Sequence, residues 1–156
     1  MKIYLETTIF NYYFDTYRDG HVATLKLFDE ICTGKHEPYT SIYVIDELEK
    51  TPDDEKKYKM LNLIPANAIA ILQPNNIAIQ LADLYIKNNV IPIKFFTDAL
   101  HIAMASVYEL EMILSFNFKH IVKRKTRIFT DFINQSLGYR LIEISTPMEI
   151  VEDENS

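Results

Sequence analysis

Lys2-Ile3-Tyr4-Leu5-Glu6-Thr7-Thr8-Ile9-Phe10 sets the architecture of this chain. Lys2 to Leu5 is a short β-type run. An acid and two threonines follow it directly, and then Phe10, Tyr13, Phe14 and Tyr17 recur at i, i+3, i+4 and i+7. That spacing is the apolar stripe of a helix. The opening therefore reads as strand, acid, helix, and the question is whether the rest of the chain repeats the alternation.

It does. A helix fits His21 to Thr33, with Leu25, Phe28 and Cys32 on one face and Gly34 as its stop. Tyr39 to Val44 reads as a strand that passes into a helix through Asp46-Glu47-Leu48. A charged helix spans Asp53 to Leu63, a buried strand Ile69 to Leu72, and a helix Ile77 to Lys87. Phe95 to Glu109 keeps the 3.6 period most clearly, through Leu100, Ala103, Met104 and Val107. Met112 to Ser115 is an apolar strand, Arg127 to Leu137 a helix stopped by Gly138, and Arg140 to Ile144 a last strand. Short apolar strands alternating with helices predict an α/β/α fold of three layers, with a mainly parallel sheet covered on both faces.

Composition bounds the function. A chain of 156 residues is one ordinary domain, here residues 1–150, with 151–156 read as an acidic disordered tail. Three glycines exclude a Gly-rich phosphate loop, and the single Cys32 excludes an internal disulfide and a multi-Cys zinc site. A lone cysteine fits a reducing cytoplasm. No signal peptide is read at the start. Met60 to Ala82 carries no charge, but its prolines, asparagines and glutamines argue against a membrane span. The net charge of −6 repels nucleic acid as a whole, so any such activity needs locally segregated cations.

In parallel sheets, sites form beyond the carboxyl ends of the strands. Glu6 follows the first strand, Glu47 lies beyond the second, Asp98 opens the strongest helix, and Asn117 follows the strand Met112–Ser115. Taken singly, these residues have ordinary explanations: a helix-start carboxylate complements the dipole, and Asn favours turns. Glu6 is the exception, because a carboxylate directly after an inner strand is partly buried. Together they bring oxygen ligands from four parts of the chain toward one sheet edge. Hard oxygen donors without His or Cys suit Mg²⁺ or Mn²⁺.

Four segments resemble the motifs of the PIN-domain family, in order. Ile3-Tyr4-Leu5-Glu6-Thr7-Thr8-Ile9-Phe10 is similar to its opening, and Thr40-Ser41-Ile42-Tyr43-Val44-Ile45-Asp46-Glu47-Leu48 to its second motif. Thr97-Asp98-Ala99-Leu100-His101-Ile102-Ala103 resembles the third, and Leu114-Ser115-Phe116-Asn117-Phe118-Lys119-His120-Ile121 the fourth. The resemblance runs from Lys2 to about Ile144. It implies a metal-dependent ribonuclease, a fold built on a parallel sheet, and kinship with toxins of toxin–antitoxin pairs. Glu6, Glu47 and Asp98 would then hold Mg²⁺ or Mn²⁺, and Asn117 would ligate the ion or orient its water. Thr7 or Thr8 would support a carboxylate or, more simply, cap the first helix. The sequence departs from the family at two positions, with Glu6 where Asp is usual and Asn117 where many members carry Asp.

Lys119, His120, Lys123, Arg124, Lys125 and Arg127 form a run without an acid, soon after Asn117. Lys119, Lys123, Arg124, Lys125 and Arg127 are the candidate contacts to RNA phosphates; a solvated surface run is the simpler alternative. The aromatic stripe Phe10, Tyr13, Phe14, Tyr17 reads as core or subunit interface rather than a base-stacking face. His101, one turn after Asp98, reads as helix surface. The expected partners are RNA, an antitoxin protein and a second copy of the chain, with no membrane. The rival reading is a non-catalytic RNA-binding or regulatory module on the same fold.

Overall fold

The protein is described here by a computed structural model covering residues 1–151. Five strands, β1 (Lys2–Leu5), β2 (Glu37–Ser41), β3 (Ala70–Leu72), β4 (Met112–Leu114) and β5 (Glu143–Ser145), form one sheet in the order β3-β2-β1-β4-β5. Every pairing is parallel, with Tyr4 opposite both Tyr39 and Ile113. Around the sheet run α1 (Thr7–Phe14), α2 (His21–Cys32), α3 (Ile42–Glu49), α4 (Asp54–Ala66), α5 (Asn76–Lys87), α6 (Phe96–Val107), α7 (Arg124–Ser136) and α8 (Pro147–Ile150). The α/β class and the parallel sheet are those the alternation predicts.

β1 is the central strand, and Ile3, Tyr4 and Leu5 are fully buried. α6 packs on α5, and Ala99 to Ser106 are all buried, so this helix is enclosed on every side and not along one stripe alone. Gly34 follows α2 with φ +83°, the left-handed conformation that favours glycine at a helix stop.

Local capping explains where boundaries differ from the sequence reading. Ile42-Tyr43-Val44 has β-type sequence but is helical, because Ser41 ends β2 and its hydroxyl accepts from Tyr43 N at 3.2 Å. α7 begins at Arg124 instead of Arg127, taking the middle of the basic run into its first turn with no side-chain cap to announce it. The uncharged stretch from Met60 divides among α4, β3 and α5, and among the described residues no helix is long and apolar enough to cross a membrane. Residues 152–156 of the expected acidic tail lie outside the described residues.

Candidate acidic site at the carboxyl edge of the sheet

The strand order reverses between β1 and β4, and the crevice beyond such a reversal is where parallel α/β sheets place ligands. Glu6 leaves β1 there as the N-cap of α1, and Ser115 leaves β4 beside it. Glu47 arrives from α3 and Asp98 from the first turn of α6.

Each carboxylate is held by the protein in a different way. Glu6 is only 2% exposed. Its Oε1 accepts from Thr8 Oγ1 at 2.6 Å, Ser115 Oγ at 2.6 Å and Thr8 N at 3.2 Å. Burial nevertheless pushes its pKa up, and the Glu47 charge adds to that push. Glu47 Oε1 accepts from His101 Nε2 at 2.6 Å and from Thr7 Oγ1 at 3.0 Å. Burial opposes ionisation there too, but the His101 bond and charge outweigh it and hold the carboxyl below its usual range. Asp98 is half-buried, and burial raises its pKa against the lowering effects of His101 and a hydrogen bond from Asn117.

Asn117 is built into a turn. Its Oδ1 accepts from His120 N at 3.0 Å, and its carbonyl accepts from Ile121 N and Val122 N. With the oxygen so engaged, the carboxamide nitrogen is the atom that serves Asp98. The two threonines do not compete to cap α1, since Glu6 is its cap. Thr7 serves Glu47, and Thr8 links Glu6 to Phe116 N, accepting from it at 2.8 Å.

His101 corrects the sequence reading. It is fully buried, not on a helix surface. Its Nδ1 lies 2.7 Å from Tyr4 OH, which lies 2.7 Å from Ser41 Oγ. A neutral imidazole satisfies every link in one direction: Ser41 donates to Tyr4, Tyr4 to Nδ1, and Nε2–H to Glu47. The nearby carboxylates raise the His101 pKa although burial opposes the charge. The signal is present in the sequence. His101 stands inside the apolar run Ala99 to Ala105, where a polar side chain is buried and must find partners.

The donor set suits a hard divalent cation. Glu6, Glu47 and Asp98 supply oxygens only, and Glu47 is electrostatically coupled to both of the others. Among the described residues, Oε2 of Glu6 and of Glu47 carries no hydrogen bond from the protein. Equally, no three His, Cys, Asp or Glu side chains among the described residues form a ready cage. The fit is therefore to an ion that keeps waters, as Mg²⁺ does.

The basic run divides. Lys119, Arg124 and Lys125 are exposed, and Lys123 is half-buried as the N-cap of α7. Arg127 is turned to structural use: its Nε donates to Ile144 O at 3.1 Å, and its guanidinium lies 3.6 Å from Glu149. Of the predicted aromatic stripe, Phe10 is buried, Tyr13 and Phe14 pack against the core, and Tyr17 is 79% exposed.

A family model described as PIN domain matches residues 3–125. No curated protein matches the sequence significantly. Among solved structures, VapBC2 from Rickettsia felis, bound to a DNA fragment from its promoter, is similar at 13% identity and TM-score 0.59, over 94% of this chain and 98% of that one. Mycobacterium tuberculosis VapC20, a sarcin–ricin loop cleaving toxin, gives 11% identity and TM-score 0.57 over 90% and 98%. FitAcB from Neisseria gonorrhoeae gives 13% and 0.57 over 95% and 99%. At these identities the likeness is one of fold.

Proposed function

The chain belongs to the PIN-domain family, and from that premise we propose that it is a metal-dependent endoribonuclease acting on single-stranded RNA. The observation that carries this reading is the pair of buried-edge glutamates, Glu6 and Glu47. Each has one carboxylate oxygen held by the protein and one with no protein hydrogen bond among the described residues. Glu6, Glu47 and Asp98 would hold Mg²⁺ or Mn²⁺. When bound, such an ion supplies Lewis acidity at a phosphate oxygen and makes a water more acidic.

The protein's own groups do the positioning. Thr8 and Ser115 fix Glu6, His101 and Thr7 fix Glu47, and Asn117 steadies Asp98 through its amide. Exposed Lys119, Arg124 and Lys125, with Lys123, would meet phosphates flanking the cleaved bond. The structural likeness to toxins solved from VapBC and FitAB systems supports a toxin role for a single domain over residues 1–150. It also supports an antitoxin partner; a second copy of the chain and a cytoplasmic setting belong to the same proposal.

The test is cleavage of mixed single-stranded RNAs by purified protein, with Mn²⁺ and with EDTA. Metal-dependent fragments that vanish in Asp98→Asn, with circular dichroism unchanged, are the expected result. RNA binding without turnover in the wild type would replace this reading with the non-catalytic module. Unchanged cleavage in Asp98→Asn would remove the assigned site.

A further inference from the structure

A ladder of flat side chains begins beside Glu6 and ends in solvent. Phe116 N donates to Thr8 Oγ1 at 2.8 Å, and Thr8 Oγ1 donates to Glu6 Oε1 at 2.6 Å. The Phe116 ring stacks face to face on Tyr12, with centroids 3.8 Å apart and planes 4° from parallel. Arg18 lies over Tyr12 with its guanidinium carbon 4.9 Å from the ring, and 5.4 Å from the ring of Tyr17.

The ladder is built, not incidental. Gly20 closes its inner end: φ is +97°, and a Cβ there would come within 2.6 Å of the Phe116 ring. Arg18 is steered by Asp15, which accepts from its Nε at 3.1 Å and from Lys56 Nζ at 2.8 Å. That bond uses Nε and leaves the flat terminal end of the guanidinium beside Tyr17. At the outer end Tyr17 is 79% exposed, while at the inner end Phe118, 53% exposed, stands 6.5 Å from Phe116.

We propose that the two ends of this ladder, Tyr17 with Arg18 at one and Phe118 at the other, form a platform that stacks two separate unpaired nucleobases of a strand whose phosphodiester is held at the acidic site. The proposal rests on the ribonuclease reading and names how the substrate is gripped. Aromatic and guanidinium planes stack on bases of single strands with little regard to sequence. A chain of net charge −6 gains little long-range attraction for RNA, so stacking beside a fixed cation supplies what the overall field does not. The cation selects against an apolar occupant and suits a base that carries phosphate.

The test uses single-stranded RNA carrying 2-aminopurine, titrated with the whole protein in EDTA so that no cleavage intervenes. Wild type should quench the probe. Tyr17→Ala and Phe118→Leu should each bind about tenfold more weakly and quench less, in line with the loss of one stacked base. Tyr17→Phe should behave as wild type. Melting temperatures should not change, because both residues are exposed. Wild-type affinity and quenching in the Tyr17→Ala/Phe118→Leu double variant would overturn the platform while leaving Mn²⁺-dependent cleavage intact. A wild type that neither binds nor cleaves RNA would remove the ribonuclease reading, and the platform with it.

Discussion

Replacing His101 by leucine keeps a buried side chain of similar size but removes the donor that fixes Glu47. Two bonds disappear, Nε2 to Glu47 Oε1 at 2.6 Å and Nδ1 to Tyr4 OH at 2.7 Å. A bond to a charged acceptor contributes about 1.5–3 kcal/mol and a neutral one about 1 kcal/mol. The Glu47 side chain is 35% exposed, so water takes over part of the first. Leucine also relieves the desolvation of an imidazole. The expected net loss is about 2 kcal/mol, or a fall of about 4–8 °C in melting temperature for a chain of this size.

Glutamine separates positioning from filling. Its amide N–H can donate to Glu47 while its oxygen accepts from Tyr4 OH, so His101→Gln should lose less than about 1 kcal/mol. Urea unfolding without metal reads the stability of both variants. Mn²⁺ titration followed by electron paramagnetic resonance reads the site. His101→Leu should bind the ion more weakly, because Glu47 is no longer held, and His101→Gln should retain most of the affinity. Equal losses of stability and of Mn²⁺ affinity in the two variants would refute the idea that the hydrogen bond matters.

Two further outcomes follow from charge. A divalent ion that binds only the folded protein should raise its melting temperature, by about 2.7 kcal/mol of stability at a hundredfold excess over Kd, with a smaller shift in Asp98→Asn; equal shifts would place the ion elsewhere. Lys123→Ala with Arg124→Ala should weaken RNA binding and flatten the slope of log K on log salt by roughly 0.7 for each phosphate that is no longer neutralised; an unchanged slope would return the run to ordinary surface.

The fold is legible in the sequence because each apolar strand is short and each helix keeps its period. What the sequence hides is capping. Ile42-Tyr43-Val44 has strand propensity, yet the Ser41 hydroxyl starts a helix there, and that is what carries Glu47 along α3 to the sheet edge. Three carboxylates and Asn117 can be placed near one edge from strand ends and one helix start. Their roles cannot, because those depend on partners distant in sequence: Ser115 on Glu6 and His101 on Glu47. Arg127 escapes the sequence reading for the same reason, since its charge reads as surface until Ile144 and Glu149 are beside it. The aromatic ladder is invisible there because it joins Tyr12 to Phe116 across the chain instead of following one helical stripe.

The asparagine at position 117 has a physical sense. Burial already raises the pKa of Glu6 and Asp98, so a further carboxylate at 117 would add repulsion to desolvation. An asparagine there keeps the turn, through Oδ1 to His120 N, and offers a donor to Asp98 in place of a charge. Asn117→Asp reverses that. The turn survives, the bond to Asp98 is lost, and the Asp98 pKa rises further. An acid with a folded pKa above its unfolded value favours folding below the unfolded value, and that advantage is lost as pH rises through the folded one. Asn117→Asp should therefore be about as stable as wild type below the carboxylate range and about 1–3 kcal/mol less stable at neutral pH without metal. The added oxygen charge should tighten Mn²⁺ binding, so saturating ion should close most of that gap. Urea unfolding at acid and neutral pH, with and without Mn²⁺, measures all four states. A deficit that is the same at both pH values, or that Mn²⁺ does not reduce, would show that residue 117 does not act through the charge of this site.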